Sequence, residues 1–540
     1  MMLDDITIRN VPDHLGGVSQ PADPAIAVDE IQGDVLIGLP KKAQVFVFFS
    51  ITDRAAFKTA FAKSLLDEVT TTHQAQQQME QIAAAKKAGD TALLPIFGFN
   101  VGFTNHGIAL LAGGTDGMDG SFVAGAKQRA LEPELFLKIG MNDPQDAAGA
   151  LSTWHPKYLA DDKLHGVMMF TGPQCDAVEE RADDALAALG AAVAEVRREV
   201  GTVRPGLEAG HEHFGYLDGV SQPGVRGITS RTDPATRPNQ GLPGQELLWP
   251  GQFVFGYPGQ TPPATPPAPP IPDEYAPGPA PTLPANLDWM KNGSFLVFRR
   301  LNQKVPELHE FAAQQGTAQQ TDPTLLEARM VGRWKSGAPL EISPLQDDPE
   351  LAKDETANND FVFSSDVFQR ACPYAAHIRK VNPRDDEATP GNGATDADTH
   401  AAVLVRRVIR AGIAFGPEVT QHEAVTRTTT EERGLLFACY QTSIAQQFEF
   451  LQTAWANNPG FIFNKNRPNG GEHVNPGLDP LIGQAAAKGD RKRTSDEPVP
   501  NFPGGSERST LSMPDDFVVP TGGAYLFVPS ISALKTTLLT

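Results

Sequence analysis

The chain has 540 residues, 40% of them hydrophobic, and its 65 acidic side chains outnumber its 45 basic ones, giving a formal net charge of −20. This length predicts more than one domain or one large duplicated unit. The acidic balance argues against nucleic acid and anionic membrane surfaces as partners, because both require basic protein surface. The three cysteines are too few to predict a disulfide framework.

The N-terminal segment, residues 1–28, is polar and contains three prolines, so we expect a mobile arm. The first ten residues include Asp4 and Asp5 and lack the apolar core of a secretory signal peptide. No run reaches the roughly 18 apolar residues that a membrane-spanning helix needs. These features predict a cytoplasmic protein, and a secreted one stays open as an alternative.

The next segment, residues 29–240, shows short β-rich apolar runs separated by amphipathic stretches. The order strand, helix, strand, strand, helix, strand is typical of a ferredoxin-like α+β sandwich. Strands are predicted over residues 43–49, 96–103 and 166–170, and helices over residues 53–69 and 177–200.

The C-terminal half, residues 291–540, repeats this plan and predicts a second ferredoxin-like domain. Between the halves, residues 241–290 contain a run of prolines that favours polyproline II and predicts a connecting loop. The sequence therefore predicts an α+β fold of two ferredoxin-like domains with antiparallel sheets. In the second half, strands are predicted over residues 295–298, 434–440 and 524–528, helices over 305–315 and 444–455, and surface inserts over 387–400 and 489–513.

One motif places a carboxylate, Asp218, in a Gly-x-x-Asp-Gly turn that follows His211-Glu212-His213. An Asp-Gly pair alone indicates only a tight turn. The spacing of His211 and His213 around Glu212 could chelate a metal ion, so a non-haem metal hydrolase is one alternative. No further ligand cluster with the spacing of a zinc site is visible in the sequence.

A second segment contains His377 and reads Cys372-Pro373-Tyr374-Ala375-Ala376-His377-Ile378-Arg379-Lys380. A histidine by itself would more often be a structural residue than a metal ligand. Together with the Gly-x-x-Asp-Gly motif it resembles the dye-decolourising peroxidases, and the resemblance runs from Ile31 to Leu539. It looks closest to the longer branch of that family, which has large insertions. Supporting landmarks include Ile31-Gln32-Gly33-Asp34, Val331-Gly332-Arg333-Trp334, Trp455-Ala456-Asn457-Asn458 and Pro476-Gly477-Leu478-Asp479.

The resemblance implies a haem peroxidase with the haem held between the two domains. Its substrates would be hydrogen peroxide and organic donors such as dyes and phenols. His377 would be the proximal iron ligand, with Asp479 as acceptor for its other nitrogen. Asp218 would be the distal acid–base and Arg410 the distal cation. Because the sequence has no Cys-x-x-Cys-His, the expected cofactor is non-covalent haem b.

The resemblance also assigns roles around the haem. Leu435 and Phe437 alternate along a predicted strand and would wall the distal pocket; ordinary core packing is the alternative. Arg379 and Arg384 would bind haem propionates, or be solvated charges. Trp455 would be a surface tryptophan that relays electrons, or would simply pack its helix. A haem-binding or haem-handling protein without turnover stays open, and neither the physiological donor nor the oligomeric state is predicted.

Overall fold

The computed structural model describes residues 22–90, 92–262, 275–319, 321–386, 396–465, 475–485, 493–498 and 508–540. Most of the predicted N-terminal arm and much of the proline run lie outside these residues, as do parts of the two predicted surface inserts. The strands are β1 Ala43–Ile51, β2 Gly98–Phe103, β3 Gly166–Gly172, β4 Val193–Thr202, β5 Gly224–Val225, β6 Leu247–Leu248, β7 Ser294–Gln303, β8 Ile409–Arg410, β9 Ile413–Phe415, β10 Gly434–Gln441, β11 Arg493–Pro498, β12 Arg508–Met513 and β13 Val518–Val528.

The α-helices lie mostly between these strands. They are α1 Gly33–Leu36, α2 Arg54–Ser64, α3 Thr72–Lys87, α4 Asn105–Ala112, α5 Gly120–Leu131, α6 Pro156–Leu159, α7 Cys175–Leu189, α8 Val305–Gln319, α9 Pro323–Val331, α10 Pro349–Lys353, α11 His377–Val381, α12 Asp396–Leu404, α13 Gln421–Thr426 and α14 Ile531–Ala533. No helix within the described ranges is both long and apolar enough to cross a membrane.

The main sheet of the described residues is antiparallel and runs in the order β4-β1-β3-β2-β13-β7-β10-β8, with β9 also paired to β10. The four strands of the first half therefore lie in the order fourth-first-third-second. The second half repeats that order when β8 and β9 are counted together as its second strand. This is the order of a ferredoxin-like unit, so the predicted α+β fold with antiparallel sheets is confirmed.

The two half-sheets share one core. They join through a single pair of facing residues, Phe103 of β2 and Phe527 of β13. Phe46 of β1 packs against Phe298 of β7 with ring centroids 5.1 Å apart, a favourable distance for aromatic contact. Almost every residue of β1 is buried in this core. A strand buried on both faces needs apolar side chains on both, which explains the near-continuous apolar run of β1.

The outer edges of the two half-sheets also meet. Gly201 of β4 packs so closely against Ile413 of β9 that a side chain at position 201 would collide with it. The sheet therefore curls into a barrel, and the seam between β4 and β9 has Lys41, Val203, Arg410 and Leu435 close by. Glycine is required here by the close approach of the two edges.

The helix predicted over residues 177–200 is wrong in its second half. Helix α7 ends at Leu189, Gly190 has a positive φ of 53°, and β4 then begins at Val193. Alanine, glutamate and arginine favour a helix locally, but β4 pairs with β1 along its whole length. Tertiary pairing therefore overrides local propensity at the edge of the sheet.

The segment predicted as a helix over residues 444–455 is helical, but with the wider π-type hydrogen bonding in two stretches, Ala445–Glu449 and Leu451–Ala456. Such widened turns are frequent at functional sites. The remaining predicted strands and helices are confirmed to within a few residues, including β7, β10 and α8.

Candidate active site

The turn that carries Asp218 is shaped by its two glycines. Gly215 and Gly219 have φ of 94° and 81°, which only glycine adopts without steric cost. Oδ1 of Asp218 accepts a hydrogen bond from the backbone N–H of Gly219 at 2.7 Å. It also accepts one from Nη1 of Arg410 at 2.6 Å, so the two residues assigned to the distal side form an ion pair.

Charge around Asp218 favours its ionised form. Burial raises the pKa of this carboxyl, but attraction and hydrogen bonding from Arg410 lower it, and so does the Gly219 amide. The net pKa lies below the usual value for aspartate. About a third of the side chain of Asp218, 35%, is still exposed, so the carboxylate sits in a recess that small molecules can enter.

A cavity of about 340 Å³ opens at the seam of the barrel and contains Asp218, Arg410 and Leu435 in its lining. Leu435 and Phe437 are both only partly buried, whereas their neighbours on β10 are fully buried, so the two side chains share one face of the strand. Phe437 packs against Phe448 with ring centroids 6.1 Å apart. The predicted sharing of a face is confirmed, and Leu435 adds an apolar wall beside the ion pair.

His377 is the first residue of the short helix α11. Its Nδ1 lies 2.8 Å from Oδ2 of Asp479, while Oδ1 of Asp479 accepts the backbone N–H groups of Leu481 and Ile482 at 2.8 and 3.0 Å. Burial raises the pKa of Asp479, but His377 and the two amides lower it below its ordinary value. A charged carboxylate therefore holds Nδ1 as a donor and leaves Nε2 as the nitrogen with a lone pair.

The residues present fit a haem group. The imidazole of His377 is 28% exposed, and its Nε2 has no hydrogen-bond partner among the described residues. Arg384 has a buried Nε without a partner there, although its other nitrogens donate to the carbonyls of Asn359 and Phe361 and to the Asn359 amide oxygen. An orphaned guanidinium donor at this depth suits a propionate carboxylate.

The prediction that Arg379 binds a propionate is wrong. This side chain is fully buried, and its guanidinium donates to the carboxylates of Asp366 and Asp386 and to the carbonyls of Cys372 and Phe363. Every N–H is therefore directed at the protein itself. The two acids raise the pKa of Arg379 even though burial opposes its charge.

The prediction that Trp455 lies on the surface is also wrong. Its side chain is 1% exposed and stacks on Phe461, with centroids 5.0 Å apart and ring planes 3° from parallel. Phe450 covers a second side at 5.6 Å. A bulky donor cannot touch an indole enclosed in this way.

The residues of the metal-hydrolase alternative do not converge. The carboxylate of Glu212 accepts hydrogen bonds from Gln303 and from the backbone N–H groups of Phe214 and Tyr216. Nε2 of His213 donates to the carbonyl of Phe415 at 2.8 Å. Throughout the described part of the chain, no group of three or more metal-binding side chains could hold an ion.

Two residues that line the cavity, Lys41 and Gln222, were not predicted from the sequence as site residues. Lys41 lines the cavity, and its Nζ donates to the carbonyl of Ala411 at 2.6 Å; burial lowers its pKa. Gln222 contacts the backbone of Arg410. Gln222 lies four residues after Asp218 and could have been noted from the motif, whereas nothing in the sequence near Lys41 connects it with Arg410.

Comparisons with known proteins agree with this arrangement. The family profile of the "DyP dimeric alpha+beta barrel domain" matches residues 30–205. The dye-decolorizing peroxidase of Mycena epipterygia is 35% identical over 539 residues, covering 95% of this chain and 87% of that protein. Peroxidase 2 of Mycetinis scorodonius is 34% identical over 526 residues, covering 96% of this chain and 88% of that protein.

Solved structures give the same result. An ancestral D-type dye-decolorizing peroxidase has a TM-score of 0.77 and 38% identity, covering 95% of this chain and all of that one. A dye-decolorizing peroxidase in complex with 2,6-dimethoxyphenol has a TM-score of 0.73 and 32% identity, with 95% and 100% coverage. Together with these relatives, the barrel identifies a haem-dependent oxidoreductase that acts as a peroxidase. The chain belongs to the DyP-type peroxidase family and resembles its fungal D-type members over nearly its full length.

Proposed function

We propose that the protein binds haem b without a covalent bond and uses it to reduce hydrogen peroxide while oxidising dyes and phenols. The observation that carries this proposal is the His377–Asp479 pair at 2.8 Å, which leaves Nε2 without a partner among the described residues and so available as an iron ligand. Arg384 would hold a propionate, and Leu435 and Phe437 would border the distal face. When bound, haem supplies the iron through which peroxide is reduced and donors are oxidised one electron at a time.

Asp218 acts as the proton carrier on the distal side. Its carboxylate is ionised at ordinary pH because Arg410 lowers its pKa. It can therefore accept a proton from the attacking oxygen of hydrogen peroxide and return that proton to the leaving oxygen, which departs as water. Peroxide and two donor hydrogens thus yield two molecules of water and two donor radicals.

Arg410 acts as a fixed cation for the charge that develops as the O–O bond breaks. Its guanidinium is held by Asp218 at 2.6 Å and by the carbonyl of Ser221 at 3.4 Å. A donor held in place before the reaction needs no reorganisation during it, which is the basis of electrostatic catalysis.

The class of donor follows from the cavity and from the relatives. A space of about 340 Å³ admits peroxide and is of the order of a small aromatic molecule, but a bulky dye must be oxidised from the protein surface. Relatives carry the name dye-decolorizing peroxidase, and one solved relative holds 2,6-dimethoxyphenol. We therefore propose phenols and dyes as two donor classes with different points of contact.

The decisive experiment compares two histidines that make the same kind of hydrogen bond. His309 also contacts a carboxylate through Nδ1, at 2.7 Å from Glu327, and its side chain is 35% exposed. We expect His377→Ala to lose or loosen haem and His309→Ala to keep it, as measured by the Soret band and pyridine haemochrome spectrum. Turnover of 2,6-dimethoxyphenol with peroxide then separates an enzyme from a haem-binding protein without activity. Full haem with an unchanged Soret band in His377→Ala would contradict the proposed ligand.

A further inference from the structure

Gln222 makes two hydrogen bonds to the backbone of a single residue, Arg410. Its side-chain oxygen accepts the N–H of Arg410 at 3.2 Å, and its side-chain nitrogen donates to the C=O of Arg410 at 2.6 Å. A carboxamide has one acceptor and one donor group, so it can reproduce the pairing that a neighbouring strand would offer.

The backbone N–H and C=O of Arg410 need hydrogen-bond partners because of the position of β8 in the sheet. Strand β8 is only two residues long, and Arg410 faces Cys439 of β10. The ladder bond to β10 comes from the next residue, Ala411, whose N–H donates to the carbonyl of Ala438 at 2.9 Å. In an antiparallel pair these bonds alternate between inward and outward positions. The N–H and C=O of Arg410 therefore point away from β10, and Gln222 occupies the place of the missing strand.

Gln222 is itself anchored, since Nε2 of Gln245 donates to its carbonyl at 3.2 Å. The loop from Asp218 to Gln222 consequently touches Arg410 at three points. Asp218 and the carbonyl of Ser221 contact the guanidinium, and Gln222 contacts the backbone. One short loop thus fixes both ends of the arginine.

We propose that Gln222 is a positioning residue for the peroxide reaction, which holds the backbone of Arg410 so that its guanidinium and the Asp218 carboxylate keep a fixed separation. This inference rests on the distal role proposed above for Arg410. Without Gln222, the two-residue strand has one unpaired edge, and water competes for the N–H and C=O of Arg410. A displacement of about 1 Å in a catalytic group can reduce a rate by roughly 100-fold.

The chain offers a matched control. Gln32 makes the same pair of bonds to Val101 of β2: its side-chain oxygen accepts the N–H at 2.8 Å, and its side-chain nitrogen donates to the C=O at 3.0 Å. Gln32 lies outside the lining of the cavity that contains Asp218 and Arg410. Loss of the equivalent pair of hydrogen bonds at Gln32 should affect stability without affecting Asp218 and Arg410.

The experiment uses the haem-loaded full chain and the variants Gln222→Leu, Gln32→Leu, Arg410→Leu and Gln222→Leu/Arg410→Leu. Stopped-flow absorbance gives the rate constant with peroxide, and titration of the ferric protein with cyanide gives a dissociation constant that does not depend on turnover. We expect Gln222→Leu to lower the peroxide rate roughly 10- to 100-fold and to weaken cyanide binding. Gln32→Leu should stay within about threefold of the parent in both measurements, because the hydrogen bonds of Gln32 involve neither Asp218 nor Arg410.

The double variant decides how Gln222 acts. If it acts through Arg410, adding Gln222→Leu to Arg410→Leu produces no further loss. Additive losses, an equal loss in Gln32→Leu, or a Gln222→Leu rate within threefold of the parent would each overturn the inference. If Arg410→Leu itself retains the parent rate, the proposed function fails first. Should Gln222→Leu not fold, Gln222→Glu keeps the acceptor but loses the donor and must still slow the reaction.

Discussion

Asp479 is fully buried and receives Nδ1 of His377 on one oxygen and two backbone N–H groups on the other. Its carboxylate is therefore saturated with donors and fixed in direction. The orientation of the imidazole ring is set by this carboxylate, which lies 102 residues further along the chain.

Replacing Asp479 by asparagine should raise the reduction potential of the bound iron. A neutral amide leaves the imidazole of His377 less basic, so the oxidised metal is less stabilised. Loss of such a partner typically lowers affinity or activity by roughly 10- to 100-fold. Spectroelectrochemical titration measures the potential. Glu327→Gln, which changes the equivalent partner of His309, is the control and should leave the potential unchanged.

Arg410→Leu should shift the acid limb of the peroxide reaction toward neutral pH. In the parent, Arg410 lowers the pKa of Asp218 below its usual value of 3.8, so the carboxylate persists in acid and the rate falls only as pH drops through that lowered pKa. Without Arg410, burial dominates and the pKa rises. We expect an overall loss of roughly 10²–10³ together with the shifted limb, both measured by stopped flow between pH 3 and 7.

Arg406 is the control for this pH profile. It precedes β8 and donates to Gln446 rather than to Asp218. Arg406→Leu should therefore retain the position of the acid limb. An unshifted limb in Arg410→Leu would contradict the assignment of Asp218 as the titrating carboxylate.

The lowered pKa of Glu246 predicts that the folded protein loses stability in acid, independently of catalysis. Burial raises its pKa, but Arg407 at 3.1 Å and His400 lower it to about 2. A carboxyl whose pKa is depressed on folding contributes stability that is complete above its unfolded pKa near 4.5 and is lost as pH falls toward 2. The full effect is on the order of 3 kcal/mol.

Urea unfolding at pH 6, 5, 4 and 3 measures this contribution. Glu246→Gln leaves Arg407 without its charged partner, so we expect lower stability at pH 6 and a weaker decline toward acid. Parallel curves for the parent and the variant would show that Glu246 does not carry the pH dependence.

Trp455 should behave as a packing residue. Trp455→Phe retains an aromatic ring against Phe461 and should leave dye oxidation within a few-fold of the parent. Trp455→Ala should destabilise the fold by about 3–5 kcal/mol, the usual cost of truncating a large buried aromatic. A sharp loss of dye oxidation in Trp455→Phe, with normal peroxide reduction and an unchanged melting temperature, would instead show that a buried indole relays electrons.

The sequence predicts the parts of the site that motifs specify. Asp218 is marked by its flanking glycines, and His377 and Asp479 stand in recognisable segments, so their roles could be proposed before any geometry was available. Their approach within hydrogen-bond distance could not be read from composition or periodicity, because it depends on how two segments 102 residues apart pack.

The errors share a physical cause. Arg379 and Arg384 lie five residues apart in one motif. Only packing decides that Arg379 turns toward two acids while Arg384 keeps a nitrogen with no partner in the described part of the chain. Residues 193–200 have helical composition but pair with β1. In both cases contacts that form only in the folded chain determine the outcome, and local sequence patterns do not specify such contacts.

The ion pair between Asp218 and Arg410 also bears on selectivity against halides and phosphate. A lone guanidinium in a recess would concentrate small anions from the surrounding salt, and these would compete with an uncharged oxidant for the same space. Because the carboxylate at 2.6 Å offsets the charge of this guanidinium, neutral hydrogen peroxide can approach Arg410 without displacing a counterion from it. Protonation of Asp218 would remove this offset, so we expect inhibition by chloride and fluoride to strengthen as the pH falls.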